Sequence, residues 1–265
     1  MKILLTGGSG YLGKKLIASM GDNITCLDKT AVAGCSFLEG DIRDPSLDLS
    51  DFDLIFHFAA VSAPKLVEKD RDLAWDVNVN GTMNICKKMK KVQKIIFMSS
   101  AYVYDRKREK HKETEAPDPT NFYGLTKLSG ENLIRYYSNE IGFDYVIFRL
   151  FNSYSIDQKA GLIIGDLMKK YREDPVIEVF NPRTKMDMVH VDDVIGILSK
   201  SASIPNGTYN ICSGASVTVQ DVYDEVSRLL KIEKPTKIVS DKNNCLIGDN
   251  SKLKELGFSF RQFRL

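Results

Sequence analysis

At 265 residues, with 43% hydrophobic and 27% charged side chains, the chain has room for one large domain or a domain with a smaller lobe, and its composition is that of an ordinary soluble globular protein. A formal net charge of +2 argues against an extended electrostatic footprint for nucleic acid. No apolar run is long enough to span a bilayer, so no membrane partner is expected.

The predicted elements alternate from the start. Ile3 to Leu5 is a short apolar strand, glycines follow at once, and helical spacing appears at Leu12, Leu16, Ile17 and Met20. Ile24 to Leu27 is a second strand ending at Asp28, and Phe37-Leu38 a short third one. Asp53 to Phe58 is a buried strand ending in Ala59-Ala60. A long helix is expected over Leu73 to Met89; the run Lys87, Lys88, Lys90, Lys91 and Lys94 reads as its solvated end. A strand at Lys94 to Met98, a helix at Tyr123 to Ile141 and a strand at Tyr145 to Leu150 complete the alternation. Arg106 to Thr120, charged and carrying Pro117 and Pro119, reads as a surface loop.

Strands alternating with helices through short links predict an α/β fold, a Rossmann-type doubly wound parallel sheet. After residue 150 the rhythm changes to a helix near Leu162 to Tyr171, a helix after Asp192, a strand at Thr208 to Ile211 and a helix from Thr218 to Leu230. Residues 1–150 are therefore expected to form the Rossmann-type domain. Residues 151–265 are expected to form a small C-terminal α/β substrate lobe, interleaved with the last sheet elements. The five cysteines (Cys26, Cys35, Cys86, Cys212, Cys245) show neither a Cys-x-x-Cys pair nor metal-type spacing with histidine. That predicts reduced thiols and no metal site. With a strand already starting at Lys2 where a signal peptide would lie, the expected compartment is the cytoplasm.

Thr6-Gly7-Gly8-Ser9-Gly10-Tyr11-Leu12-Gly13 follows a strand and opens a helix, and Gly8, Gly10 and Gly13 have the G-x-G-x-x-G spacing. Such glycines permit the tight turn, the approach of backbone to a pyrophosphate and close helix–strand packing, while the helix N-terminus favours the phosphates. Asp28 lies twenty positions after Gly8, where a carboxylate can accept hydrogen bonds from the adenosine ribose. It would repel a 2′-phosphate, so NAD is expected and NADP is less favoured, although Lys29 beside it softens the repulsion. Asp41 and Ile42, after Glu39-Gly40, are expected near the adenine, and Ala59 and Ala60 on the cofactor side of their strand end. A plain turn aspartate is the lesser alternative for Asp41.

Tyr123 and Lys127 stand one helical turn apart on one face. A nearby ammonium lowers a phenol's pKa, which suits Tyr123 to acid–base work, and Lys127 can also hold the nicotinamide ribose. The spacing alone is cheap, since Tyr11 and Lys15 share it. Position separates the two, because Tyr123 opens a helix after the strand ending in Ser99-Ser100, and ligands sit at C-terminal strand ends. Ser100 can then hydrogen-bond the substrate oxygen. His57 is expected to be a buried, hydrogen-bonded core histidine, and His190 a structural one before a helix capped by Asp192.

With these residues in place, the chain resembles the extended short-chain dehydrogenase/reductases, the NAD-dependent epimerase/dehydratase family. The likeness rests on the glycine loop, His57-Phe58-Ala59-Ala60, Asn78-Val79-Asn80-Gly81-Thr82, Ser99 to Tyr104 and the Tyr123/Lys127 pair. It continues through Arg149-Leu150-Phe151-Asn152, Asp187 to Asp193, Tyr209-Asn210-Ile211 and Asp249 to Lys252. The resemblance implies catalytic roles for Ser100, Tyr123 and Lys127, a structural or cofactor-side role for Asn78, and a place for Asn152 near the substrate's nucleotide. It also implies a homodimer packed through the helices near 73–91 and 123–141.

Relatives that eliminate water from a hexose carry a carboxylate just after the catalytic Ser/Thr, where this chain has Ala101 and Tyr102. A dehydratase is therefore disfavoured, and the expected partner is a nucleotide-sugar or another small hydroxyl or keto substrate. The resemblance implies a 4-epimerase-like enzyme, with a ketoreductase of a nucleotide-linked 4-keto sugar or a non-catalytic NAD(H)-binding sensor as alternatives. Met186 stands where the family has a phosphate-directed arginine, with Arg183 as the substitute candidate and Lys185 close by. Ser155 and Asp105 replace family glycines, and the chain is short in the substrate lobe.

Overall fold

The computed structural model describes residues 1–107, 109–158 and 161–265. In chain order its elements are β1 (Ile3–Thr6), α1 (Tyr11–Met20), β2 (Ile24–Asp28), β3 (Ser36–Glu39), β4 (Leu54–His57), α2 (Pro64–Lys69) and α3 (Arg71–Trp75). A π-helical turn (Asp76–Asn80) leads into α4 (Gly81–Lys88), then β5 (Lys94–Ser100), a 3-10 turn (Ala101–Val103), α5 (Phe122–Ile141) and β6 (Asp144–Leu150). There follow β7 (Asn152–Tyr154), α6 (Ile163–Glu173), β8 (Ile177–Phe180), β9 (Lys185–Met186), β10 (Met188–His190) and α7 (Val191–Ser199). Last come β11 (Gly207–Ile211), β12 (Val217–Thr218), α8 (Val219–Leu230), β13 (Thr236–Ser240), β14 (Cys245–Leu246) and α9 (Ser251–Glu255).

The chain divides into two compact units: residues 1–105, 116–150 and 195–209 in the first, and 106–115, 151–194 and 210–265 in the second. The first is built on a seven-stranded sheet of order β11-β6-β5-β4-β1-β2-β3, with β1 through β6 paired in parallel. This is the doubly wound Rossmann-type order, reversing between β1 and β4, and its helices follow the strands they cross over from. β1 and β4 are buried along their whole length, and they are apolar without alternation up to their last residues, Thr6 and His57. One core joins Leu4, Ile55, Ile95 and Ile147 from the sheet to Ile85, Cys86 and Ile134 from α4 and α5.

The second unit holds three small sheets, β10-β7, β12-β9-β14 and β13-β8, around a core of Tyr154, Ile164, Leu167, Ile177, Val179, Met188, Val222 and Val226. Helix α8 starts with a reciprocal cap: the Asp221 N–H donates to Thr218 Oγ1 at 3.0 Å and the Thr218 N–H to Asp221 Oδ2 at 2.7 Å.

Four expectations change. The single helix over 73–89 contains the π-helical turn, which shifts Asn78 inward without breaking the helical path. The expected surface loop after residue 106 is tied down at His111, which is 1% exposed and whose N–H donates to the Ile247 carbonyl at 2.8 Å. Two short helices, α2 and α9, lacked enough periodicity to be seen in the sequence. Helix α7 opens at Val191, so its cap is not Asp192 but His190, whose Nδ1 accepts the Asp192 N–H at 3.2 Å. Among the described residues, no helix is long and apolar enough to cross a membrane.

Candidate active site

The glycine loop is built as tightly as its sequence suggested. Gly7 has φ +76°, and a Cβ there would lie 2.5 Å from the Ala59 nitrogen; one on Gly13 would lie 2.6 Å from the Gly7 carbonyl oxygen. Backbone therefore approaches backbone on both sides of the loop. Gly10 precedes α1, no side chain caps that helix, and its first turn holds no acidic residue. Such an end favours an anion.

Beside the loop is a cavity of about 350 Å³ lined by Gly7, Ser9, Gly10, Asp28, Asp41, Ile42, Ala59 and Ala60, all expected on the cofactor side. Leu27, Lys29, Gly40, Phe58, Val61, Ser62, Leu73 and Val77 complete its lining. Gly8, Tyr11, Leu12, Gly13, Asn78 and Lys127, also expected there, are not part of it. Gly8 instead packs on Cys26 of β2, and Gly13 packs on the loop. The tight glycines and the carboxylate at the second strand end fit an adenine dinucleotide.

Asp28 does two jobs. Its Oδ2 accepts the Ser9 N–H at 2.9 Å and its Oδ1 the Thr30 N–H at 3.2 Å, so it braces the loop it serves. Asp41 is more than a turn residue. Arg43 bonds it from Nε and Nη2, and Lys29 Nζ lies 2.9 Å from Oδ2. The Arg43 bonds hold the Asp41 carboxyl well below the usual carboxylate range.

Asn78 is a clamp. Its Oδ1 accepts the Val61 N–H at 2.8 Å, and its Nδ2 donates to the Val61 carbonyl at 3.1 Å and to Thr126 Oγ1 at 3.0 Å. It thus joins the segment after β4 to helix α5 and is 2% exposed. His57 is a core residue as expected. Thr82 gives its proton to the Asn78 carbonyl at 2.6 Å, so it must accept from His57 Nε2–H at 2.9 Å, leaving Nδ1 to accept from Thr6 at 2.8 Å. Burial pushes its pKa down to about 3, so it stays neutral.

Ser100, Tyr123 and Lys127 come together in the first unit. Ser100 ends β5, while Tyr123 and Lys127 lie in the first turns of α5, whose N-terminus is capped by Asn121 Oδ1 accepting the Gly124 N–H at 2.8 Å. A Cβ on Gly124 would run into the Tyr102 carbonyl, and one on Gly130 would meet Phe97 at 2.8 Å, so the helix can sit this close only with glycine at both places. Ser100 Oγ accepts the Tyr102 N–H at 3.3 Å, and the Tyr102 ring meets Tyr123 edge-on at 5.8 Å.

The electrostatics differ from the sequence expectation. Burial pushes the Tyr123 phenol up to about 12; its bond with Ser100 opposes this, and Lys127 is not among the causes. Lys127 Nζ donates to the Met98 carbonyl at 3.0 Å and stands 5.1 Å from the Phe97 ring centre. Burial brings its ammonium down to about 8, against an opposing pull from Glu131.

Glu131, one turn beyond Lys127, went unnoticed in the sequence. It is fully buried and accepts Ser99 Oγ at 2.6 Å, Arg149 Nε at 3.0 Å, Arg149 Nη2 at 2.8 Å and Arg135 Nη2 at 2.7 Å. Arg149 also donates to the Tyr104 hydroxyl at 2.9 Å. This network ties α5 to β5 and β6 one helical turn beyond Lys127. The one signal available was a carboxylate at helical spacing from Lys127 and an arginine in an otherwise apolar strand.

The substrate candidates lie in the second unit. Asn152 Nδ2 donates to the Asp187 carbonyl at 3.1 Å. Arg183 forms an exposed ion pair with Asp241, its Nε 3.0 Å from Oδ1. Lys185 Nζ is 2.9 Å from Glu109, and Met186 packs against the core of its unit. Both cations near Met186 are thus paired.

Among solved structures, one described as MoeE5 in complex with UDP-glucuronic acid and NAD shares the fold, with TM-score 0.90, 23% identity and coverage of 99% of this chain and 95% of that one. A protein of Aggregatibacter actinomycetemcomitans described as a GDP-6-deoxy-D-talose 4-dehydrogenase is 27% identical over 98% of this chain and 93% of its own length. A Methanocaldococcus jannaschii protein described as a putative UDP-glucose 4-epimerase is 30% identical over 84% of this chain and 80% of its own. The family model for NAD dependent epimerase/dehydratases matches residues 3–212, and the chain belongs to that family.

Proposed function

We propose that the chain catalyses NAD-dependent oxidoreduction at a sugar carbon of a nucleotide-sugar, as a 4-epimerase. The observation that carries this is the buried Ser100/Tyr123/Lys127 set in the same unit as the dinucleotide cavity. Gly7, Ser9, Gly10, Asp28, Asp41, Ile42, Ala59 and Ala60 would hold the dinucleotide, which supplies a hydride acceptor and donor when bound.

The rest is the work of the protein's own groups. Tyr123 would give or take the proton of the reacting sugar hydroxyl, Ser100 would bond the same oxygen, and Lys127, anchored on the Met98 carbonyl, would help hold the nicotinamide ribose. At neutral pH the free phenol holds its proton and Lys127 is mainly charged. The unit therefore rests in the form that delivers a proton to a keto sugar. Ala101 and Tyr102 offer no carboxylate for eliminating water, which is why we read an epimerase rather than a dehydratase from a family that holds both. Asn152 and Arg183 are the candidate substrate contacts, Arg183 on release from Asp241.

The full-length match to a 4-dehydrogenase favours one second reading, a 4-ketoreductase. Purified protein incubated with UDP-, GDP- and dTDP-sugars separates the two: epimerisation without net change in the cofactor supports the first, whereas stoichiometric reduction of NAD⁺ by the hydroxy sugar, or oxidation of NADH by the corresponding 4-keto sugar, supports the second. Tyr123→Phe should lower turnover by about a hundred- to ten-thousand-fold with dinucleotide binding kept. Dinucleotide binding with no turnover by either protein would leave a sensor. A cytoplasmic location goes with this reading, supported by five free thiols. So does a homodimer, supported by exposed Trp75 and Tyr136 around a 370 Å³ hollow with Val79 and Leu133; sedimentation as a monomer at micromolar concentration would remove it.

A further inference from the structure

We infer that Asp41 is a second specificity residue for the dinucleotide: it holds Lys29 and Arg43 in ion pairs and so withholds both cations from a ribose 2′-phosphate. This rests on the dinucleotide reading above. A cation near the end of the second strand is the usual means of accepting that phosphate. Among the described residues, Lys29 follows the second strand and Arg43 the third, and Asp41 engages both. Lys29 Nζ lies 2.9 Å from Asp41 Oδ2, and Arg43 Nη2 lies 2.6 Å from the same oxygen. The other end of Arg43 is taken by Asp76, 2.6 Å from Nη1.

Asp28, Lys29 and Asp41 line one cavity, so this arrangement faces the ligand space. With Asp28, the group counts three carboxylates against two cations, a net charge of −1. A 2′-phosphate would enter a region that is already negative, with its natural counter-ions engaged. Lys29 is 65% exposed along its side chain, and its ion pair with Asp41 holds its head away from a phosphate.

Asp41 is also the cleaner residue to test. Asp28 braces Ser9 and Thr30, and its replacement disturbs the glycine loop as well as the charge. Asparagine at 41 keeps an oxygen for the Arg43 N–H, which Oδ1 accepts at 3.0 Å, so the turn survives while the charge goes.

The experiment is calorimetric titration of purified wild type and Asp41→Asn with NAD⁺ and NADP⁺, with no turnover needed. We expect wild type to prefer NAD⁺. Asp41→Asn should tighten NADP⁺ binding about ten-fold relative to NAD⁺, a gain that shrinks as salt rises from about 50 mM to about 0.5 M. Adding Lys29→Gln to Asp41→Asn should remove most of the gain. An unaltered ratio in Asp41→Asn overturns the inference, and so does a gain that survives the added Lys29→Gln. The dinucleotide reading stands in both cases. Wild type that binds neither dinucleotide removes the reading and the inference together.

Discussion

Glu131 in the first unit and Asp187 in the second are both fully buried carboxylates, yet they are satisfied in different ways. Glu131 meets side chains, with Arg149 and Ser99 on neighbouring strands and Arg135 on its own helix. Asp187 meets loop backbone: Oδ1 accepts the Ser213 N–H at 2.7 Å and Oδ2 the N–H groups of Gly214 and Gly248 at 2.9 and 3.3 Å. The pKa values diverge accordingly. Burial raises both, but the Arg149 bonds more than offset it and hold Glu131 below the usual range, while at Asp187 the Ser213 and backbone bonds only partly do so and it stays raised. A side-chain pair fixes the register of regular elements, here the helix bearing Tyr123 and Lys127. A carboxylate facing amides organises loops.

Arg149→Ala tests the first mode with the largest expected effect. It strands Glu131 without its bidentate partner and should cost about 3–5 kcal/mol in denaturant unfolding; a loss under about 1 kcal/mol would mean the pair does not hold the helix. The pH dependence sharpens the contrast. Glu131 stabilises at neutral pH and loses that contribution as pH falls through its lowered folded value, whereas burying charged Asp187 costs stability that protonation relieves.

His57, wedged between Thr6 and Thr82, belongs to the first mode and gives the next effect. Its pKa falls from the unfolded value near 6.5 to about 3, so the unfolded state alone takes up a proton between those values. Stability should fall by about 2 kcal/mol between pH 6.5 and pH 5 on this account, and His57→Gln should flatten that slope. An unchanged slope in the variant assigns acid sensitivity elsewhere.

Asp187→Asn should cost about 1–2 kcal/mol, because one oxygen must then serve donors that now occupy two. Its mark should be faster amide exchange at residues 213–214 and 248, with the first unit's exchange unchanged. Exchange rising equally in both units would erase the distinction drawn here.

Lys127 is the exception in the first unit, a buried cation whose bond goes to a backbone carbonyl. Burial lowers its folded pKa from 10.5 to about 8, so the charged form is penalised below pH 8 and the penalty fades as pH rises toward 10.5. Lys127→Met should therefore gain about 1 kcal/mol at pH 7, lose that gain by about pH 10, and abolish turnover. A destabilised variant at pH 7 would place Lys127 among the structural groups.

Much of the site was legible because its residues have local reasons to be what they are. The glycine loop needs Gly7 at positive φ and Gly13 under a carbonyl, and the phenol and ammonium need one helical turn. The network beyond them was not legible, since nothing in the neighbouring residues pairs Glu131 with Arg149 until strand and helix are docked. Motif alone gives Asn78 a structural or cofactor-side role, and the π-helical turn from which it bonds Val61 leaves no periodic trace.

The sequence by itself determined the alternating strand–helix order, the dinucleotide loop with its acidic residue, and the Ser100/Tyr123/Lys127 set, because backbone conformation and short spacing are written in neighbouring residues. Tertiary structure alone decided the charge states and partners: that burial raises Tyr123 and lowers Lys127, that Arg149 neutralises Glu131, and that Asp41 engages Lys29 and Arg43. The physical reason is that desolvation and ion pairing depend on which groups exclude water from which, and that is settled only when distant segments pack.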